Sequence, residues 1–210
     1  LPKIVKLKDK HINKFLNNRF LGKIDFSYCS SRDLINANKN KLKYSKKEFL
    51  KKIKKNQINF DKIILFAPHA FSDAPHHFGT NFIFKDYYEQ FIETINFFNS
   101  YDKNNILWLV RPHPSTKIYN EENIVKNFIK DSKNKNIIYC SSNLIGTRNL
   151  IEICDNVVTG RGTIGLEFAC YGKKPITAGA STYSKFDISD ECKNKVDYFN
   201  KLKNFNQIKP

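Results

Sequence analysis

The chain has 210 residues, of which 40% are hydrophobic and 14% aromatic, enough to build one good core and too apolar for a disordered chain. Neither a long apolar run nor a signal-peptide pattern occurs, so the sequence reads as neither membrane-spanning nor secreted. The formal charge is +16, and its meaning depends on where the lysines lie.

Residues 1–60 carry 17 Lys and Arg against 4 Asp and Glu, whereas residues 61–210 carry 19 against 16. The basicity therefore belongs to the N-terminal segment. Such a segment attracts nucleic acid or an anionic membrane surface. Its lysines are hardly interleaved with aromatics that could stack on bases, and Arg is scarce, which argues against nucleic acid and leaves the membrane surface open. A chain that opens on Leu and lacks methionine reads as a piece of a longer protein, or a processed one. Residues 1–44 show no clean period and are expected to be irregular with short helical elements.

From Ser45 the pattern sharpens. Ser45 and Glu48 form a capping box, and Phe49, Leu50 and Ile53 give a helix of about three turns. The run 61-DKIILFAP-68 predicts a buried strand, followed by the loop 68-PHAFSDAPHHFGT-80, which holds three of the five histidines. Asp86 and Glu89 open the next helix, with Tyr88, Phe91, Ile92, Ile95 and Phe98 on its apolar face. Strand 106–110 runs into 111-RPHPS-115; a helix near 121–131 leads to strand 136–140. Thr147 is placed to cap a short helix through Cys154. Strand 156–159, a glycine turn, helix 164–171 and strand 175–178 complete the order.

Continuously apolar strands alternating with amphipathic helices imply an α/β fold, a Rossmann-like parallel sheet with helices on both faces. Three units follow: a basic N-terminal segment at 1–60, a Rossmann-like domain at 61–185, and a helical tail at 186–210. Ligands of such sheets gather beyond the carboxyl ends of the strands. The unusual residues of this chain cluster there.

At 158-VTGRGTIGLEFACYGKKPI-176, Gly160 and Gly162 flank Arg161 in a strand-to-helix turn, and Thr163 is placed to cap the helix. Open amides at a helix start bind phosphate or carboxylate, and glycine lets the anion approach. Glu167 lies four residues after Thr163 on the same helix face and suits ribose hydroxyls; the alternative is a carboxylate that merely complements the helix dipole. In 110-VRPHPS-115 two prolines fix where His113 points, so that His113, with Arg111 beside it, can meet a phosphate oxygen. In the 68–80 loop Asp73 is the only acid, a candidate base or acceptor contact, and His69 can serve instead. His69, His76 and His77 match no familiar zinc spacing, so no metal is expected.

The five cysteines, Cys29, Cys140, Cys154, Cys170 and Cys192, are odd in number and lack CxxC spacing, which signals neither a disulfide framework nor zinc. Cys140, Cys154 and Cys170 read as small buried hydrophobes in a reducing cytoplasm. No GxSxG elbow, Walker lysine or CxxC pair points to hydrolase, P-loop or thiol-redox chemistry.

Taken in order, "ILFAPHAFSDAPHHFGTNFIFKDYYEQF", the strand ending at His113-Pro114 and "VVTGRGTIGLEFACYGKKPI" resemble the C-terminal half of GT-B glycosyltransferases. They look most like the bacterial capsule and surface-polysaccharide synthesis family that includes Kdo transferases, over about residues 60–185. The resemblance implies that His113 contacts the donor's phosphate, Thr163 and nearby backbone hold it, Glu167 binds the ribose, and Tyr183 borders the donor site. It implies a nucleotide sugar, in one version a CMP-sugar, a glycan or lipid-linked acceptor, and no bound cofactor. Arg161 departs from relatives, which tend to carry a small or neutral residue there. The expected activity is sugar transfer in surface-polysaccharide assembly, in the cytoplasm or at the inner face of its membrane. The alternatives are a sugar-nucleotide epimerase of the same architecture, or a basic module for nucleic acid or anionic membranes.

Overall fold

In the computed structural model, which describes residues 9–20, 44–74, 81–101, 105–141 and 144–205, six strands pair in one parallel sheet. They are Lys62–Ala67 (β1), Ile106–Val110 (β2), Ile137–Tyr139 (β3), Asn156–Thr159 (β4), Ile176–Thr177 (β5) and Asp190–Glu191 (β6). Their spatial order is β3-β2-β1-β4-β5-β6, so the direction of winding reverses between β1 and β4. Register fixes that junction: Phe66 lies opposite Val110 on one side and Val158 on the other, and Ala67 opposite Thr159.

The central strands are buried at nearly every position, and alternation sends successive side chains to opposite faces. Ile64, Phe66, Trp108, Val110 and Val158 face helices Tyr87–Ser100 (α3), Glu122–Lys130 (α4) and Lys195–Lys203 (α7). Ile63, Leu65, Leu107, Leu109 and Val157 face Asp9–Phe20 (α1), Lys46–Lys52 (α2), Thr147–Ile153 (α5) and Thr163–Ala169 (α6). Helices thus cover both faces, as expected.

Local chemistry explains the boundaries. Ser45 caps α2 in a full capping box, with Glu48 N–H to its hydroxyl and Glu48 Oε2 accepting from Ser45 N–H at 2.8 Å. Asp86 caps α3 through Glu89 N–H at 2.7 Å. The buried face of α3 runs Tyr87, Phe91, Thr94, Ile95 and Phe98, while Tyr88, expected inside, is 47% exposed. The cap sets this phase: Tyr87 is the first helical residue and turns inward. The α2 helix is shorter than expected at seven residues. Neither Thr147 nor Thr163 acts as an N-cap side chain; Gly146 and Gly162 occupy those positions and the threonines begin the helices.

Residues 9–20, in a segment expected to be helical or irregular, hold α1, whose Leu16 and Phe20 are buried one turn apart. With Phe49 and Phe60 they complete the second face of the sheet, so the described part of the basic segment contributes to this core. Asp190–Glu191 pairs with β5 inside the stretch expected as a helical tail, and Tyr198, Leu202 and Phe205 join the first core cluster. Cys140, Cys154 and Cys192 are buried free thiols; Cys170, expected inside, is exposed at the end of α6, and Cys29 lies outside the described residues. Among the described residues no helix is long and apolar enough to cross a membrane.

Candidate functional site

The reversal between β1 and β4 brings two loops together. β1 ends at Ala67 and leads through Pro68 to His69; β4 ends at Thr159 and leads into Gly160-Arg161-Gly162. Thr159 Oγ1 bonds the Ala67 carbonyl at 2.9 Å, and His69 Nε2 accepts the Arg161 N–H at 3.3 Å. The His69 ring lies flat on Tyr87, with centroids 4.3 Å apart and planes 11° apart. His113, just past the end of β2, has its ring centroid 6.0 Å from that of His69 and its plane 5° from parallel. Three loops therefore converge in a stack of Tyr87, His69 and His113.

The hydrogen bonds set the tautomers. The Arg161 amide occupies Nε2 of His69, so a neutral ring carries its proton on Nδ1, which faces Asp73 Oδ2 at 3.8 Å. His113 is the reverse. The Ser115 hydroxyl donates to its Nδ1 at 2.6 Å and the Ser115 amide approaches the same atom at 3.3 Å, which leaves Nε2–H as the donor. Burial, followed by the proximity of His69, depresses the pKa of His113 to about 4, so at neutral pH the ring is an uncharged donor.

The loop after β1 is held by a residue that has no motif. Glu121, 5% exposed, accepts hydrogen bonds from the amides of Phe71 and Ser72, each at 2.8 Å, and from the Ser72 hydroxyl at 2.6 Å. It reads from sequence as an ordinary acid at the start of a helix; only the fold places it beneath the His69 loop. Gln90 is equally silent in the sequence. It is fully buried, with the Tyr198 phenol close enough to feel its amide.

The other expected residues fall into two groups. Gly160 packs closely: a Cβ there would lie 3.0 Å from His69 Cδ2, 3.0 Å from Tyr87 Cε1 and 3.1 Å from Gln90 Oε1. Its missing side chain makes room for these neighbours. Two amides expected to face an anion instead brace the turn, Arg161 N–H on His69 and Gly162 N–H on Thr159 Oγ1 at 3.4 Å. Tyr183, 2% exposed, donates to the Gly162 carbonyl at 2.8 Å and fixes the turn from the far side. Thr163 is exposed.

Arg111 differs from the open, bidentate phosphate contact expected of it. It is 4% exposed and gives Nη1–H to the Ile145 carbonyl at 2.7 Å. Burial lowers its pKa, and the charge of Glu167 works in the opposite direction. Glu167 is itself 7% exposed, and its charge also adds to the burial that raises the Tyr183 phenol. The buried carboxylate is thus close enough to Arg111 and Tyr183 for its charge to act on both, while His69 stands beside Asp73 and His113. His76 and His77 lie outside the described residues. Among the described residues no group of three His, Cys, Asp or Glu is arranged to hold a metal. A separate cleft of about 530 Å3, lined by Lys126, Lys130, Lys135 and Tyr139, opens between α4 and β3.

No family model matches the sequence, and no curated protein does. Among solved structures, the chain is similar to Thermosulfurimonas dismutans KpsC, beta Kdo 2,4 transferase, with a TM-score of 0.51 and 13% identity over 90% of this chain and 53% of that one. A second structure, Thermosulfurimonas dismutans KpsC, beta Kdo 2,7 transferase, gives a TM-score of 0.44 and 16% identity over 88% of this chain and 56% of that one. This chain spans about half the length of either. The parallel sheet, whose winding reverses between β1 and β4, is therefore part of a fold that this chain shares with about half of the first of these structures.

Proposed function

We propose that the chain is the nucleotide-sugar-binding half of a glycosyltransferase of surface-polysaccharide assembly, with its site in front of the β1–β4 junction. The observation that carries this reading is His69, which accepts the Arg161 amide across the winding reversal and lies nearly parallel to His113, each ring held in one tautomer by a backbone amide. His113 Nε2–H donates to the donor's phosphate, with Thr163 at the start of α6 beside it. Gly160 lets the turn close on His69, Tyr87 and Gln90, Arg111 holds the Ile145 carbonyl, and Glu167 is buried in the helix that follows.

In the reaction an acceptor hydroxyl of a glycan or lipid-linked acceptor attacks the anomeric carbon. The new C–O bond forms as the bond to the nucleotide phosphate breaks, and the hydroxyl proton passes to a base. Asp73 suits that role better than His69. Its carboxylate is 34% exposed, whereas the Nε2 lone pair of His69 is committed to Arg161. His69 Nδ1 faces that carboxylate at 3.8 Å, an electrostatic approach and not a hydrogen bond. The neutral His113 donor and the turn stabilise the departing phosphate without added charge.

The test is a thermal-shift panel of CMP, UDP, GDP and their sugars, followed by product analysis with and without an acceptor. One nucleotide series raises the melting temperature, and His113→Ala weakens its binding by about 1–3 kcal/mol with the fold intact. Glu167→Ala weakens it too, through the turn. A protein stabilised by no nucleotide, or one that converts the nucleotide sugar without any acceptor, overturns the transferase reading; the second result favours an epimerase.

A further inference from the structure

β3 ends the sheet, and among the described residues no strand pairs along its outer side. Along a parallel strand both main-chain groups of a residue point to one side, and successive residues alternate. Asn136 O accepts from Trp108 N–H at 2.9 Å and Cys140 N–H donates to Val110 O at 2.8 Å, so these positions face β2. Ile137 and Tyr139 therefore point their main-chain groups outward. Ile137 N–H is taken by the Asn134 carbonyl at 3.2 Å. The Tyr139 N–H and the carbonyls of Ile137 and Tyr139 have no partner among the described residues. The Tyr139 ring is held toward α4, where its hydroxyl donates to Glu122 Oε1 at 2.8 Å.

This open edge runs along the cleft of about 530 Å3 between α4 and β3, which Ile137, Ile138 and Tyr139 line together with Lys126, Lys130 and Lys135. No acidic residue lines it, and none of the three lysines forms an ion pair with a described residue. Lys135 Nζ is tethered to the Ser132 carbonyl at 3.1 Å, which fixes its charge beside the cleft. Charges that merely guard a sheet edge stand on the edge strand itself. Here the residues of β3 are uncharged, and the lysines stand next to it on α4 and in the loop before it.

The spacing selects an occupant. Lys126 and Lys130 are one helical turn apart, about 6 Å along the axis. In an extended chain, residues two apart share a face and stand about 6.6 Å apart. A strand laid on the edge therefore brings carboxylates at alternate positions to both lysines. No two acidic residues in these 210 stand two apart, so the chain itself does not carry the pattern, and a second copy would set lysines against lysines.

We propose that the open edge of β3 docks an extended acidic segment of a partner protein. The segment adds to the sheet as a seventh strand, its main chain pairing with Ile137 and Tyr139 and its alternate carboxylates meeting Lys126 and Lys130. The docking site is independent of the transferase reading.

The experiment titrates wild type and the double variant Lys126→Glu/Lys130→Glu with short peptides: glutamate alternating with threonine, the same composition with the glutamates in one block, and lysine alternating with threonine. Polyphosphate is titrated in parallel, and exchange of the Tyr139 amide is followed with and without the first peptide. Both substituted lysines are exposed, so the variant keeps the fold. Wild type is expected to bind the alternating glutamate peptide more tightly than the blocked one, and saturation slows Tyr139 exchange. The double variant loses about 10-fold in affinity for that peptide and gains affinity for the lysine peptide. Equal affinity for both glutamate peptides and polyphosphate, or an unslowed Tyr139 amide at saturation, overturns the proposal and leaves a general polyanion patch. Binding of no probe overturns it too, and leaves the lysines as guards of the edge.

Discussion

Gly165→Ala tests how the glycine turn is held. Gly165 is buried in α6, and a Cβ built there would lie 2.2 Å from the Tyr183 hydroxyl oxygen, 3.0 Å from Cζ and 3.3 Å from Pro175 Cβ. The hydroxyl must move by about an ångström, and Tyr183 is only 2% exposed, so the ring has nowhere to go without breaking its bond to the Gly162 carbonyl. Overpacking costs about 1–3 kcal/mol and the lost hydrogen bond about 1 kcal/mol, while alanine's helix preference returns about 1 kcal/mol. The net destabilisation is about 2 kcal/mol. Tyr183→Phe alone costs about 1 kcal/mol, since Gly162 O still accepts from Gly165 N–H. In the double variant the clashing oxygen is gone, so Gly165→Ala then costs about 1 kcal/mol or less. Urea unfolding of the four proteins gives the coupling, expected at about 1–2 kcal/mol. Costs that add to within about 0.5 kcal/mol would show that Tyr183 does not fill the space beside Gly165.

Two further outcomes follow from buried groups. The folded pKa of His113 is about 4 against an ordinary 6.5, so between these values the unfolded chain takes up a proton that the folded one refuses. Stability from this group is therefore complete above pH 6.5 and falls by about 3 kcal/mol as pH drops to 4; unfolding at pH 7 and 4.5 should show His113→Gln losing correspondingly less than wild type. Glu121→Ala leaves the Phe71 and Ser72 donors without their carboxylate and should cost about 2–3 kcal/mol, with faster amide exchange at both residues. Slow exchange there in the variant would show that another group holds the loop.

The sheet was legible because its strands are buried on both faces and read as apolar runs; β2 appears at the bounds its sequence suggests. The α1 helix was not, since Leu16 and Phe20 give one turn of apolar period within a Lys- and Asn-rich stretch. β6 was hidden because two half-buried acidic residues carry no strand signature and pair only where β5 presents an edge. At the site, His69, Asp73, His113 and the glycine turn could be named from loop position, and the fold assembles them. What one-dimensional spacing cannot carry is direction. Arg111 and Glu167 look like ligand groups by type and turn inward, whereas Tyr87, Gln90 and Glu121 look structural and lie against the site.

The most direct measurement is nitrogen NMR of the histidine rings during titration with the nucleotide sugar that stabilises the protein. Unbound, His113 should show the Nε2–H tautomer and His69 the Nδ1–H tautomer. Saturating ligand should shift both rings in step with binding and leave exposed His11 on α1 unchanged. Binding that leaves His69 and His113 unmoved and perturbs the lysine-lined cleft at Lys126, Lys130 and Lys135 would contradict the assignment.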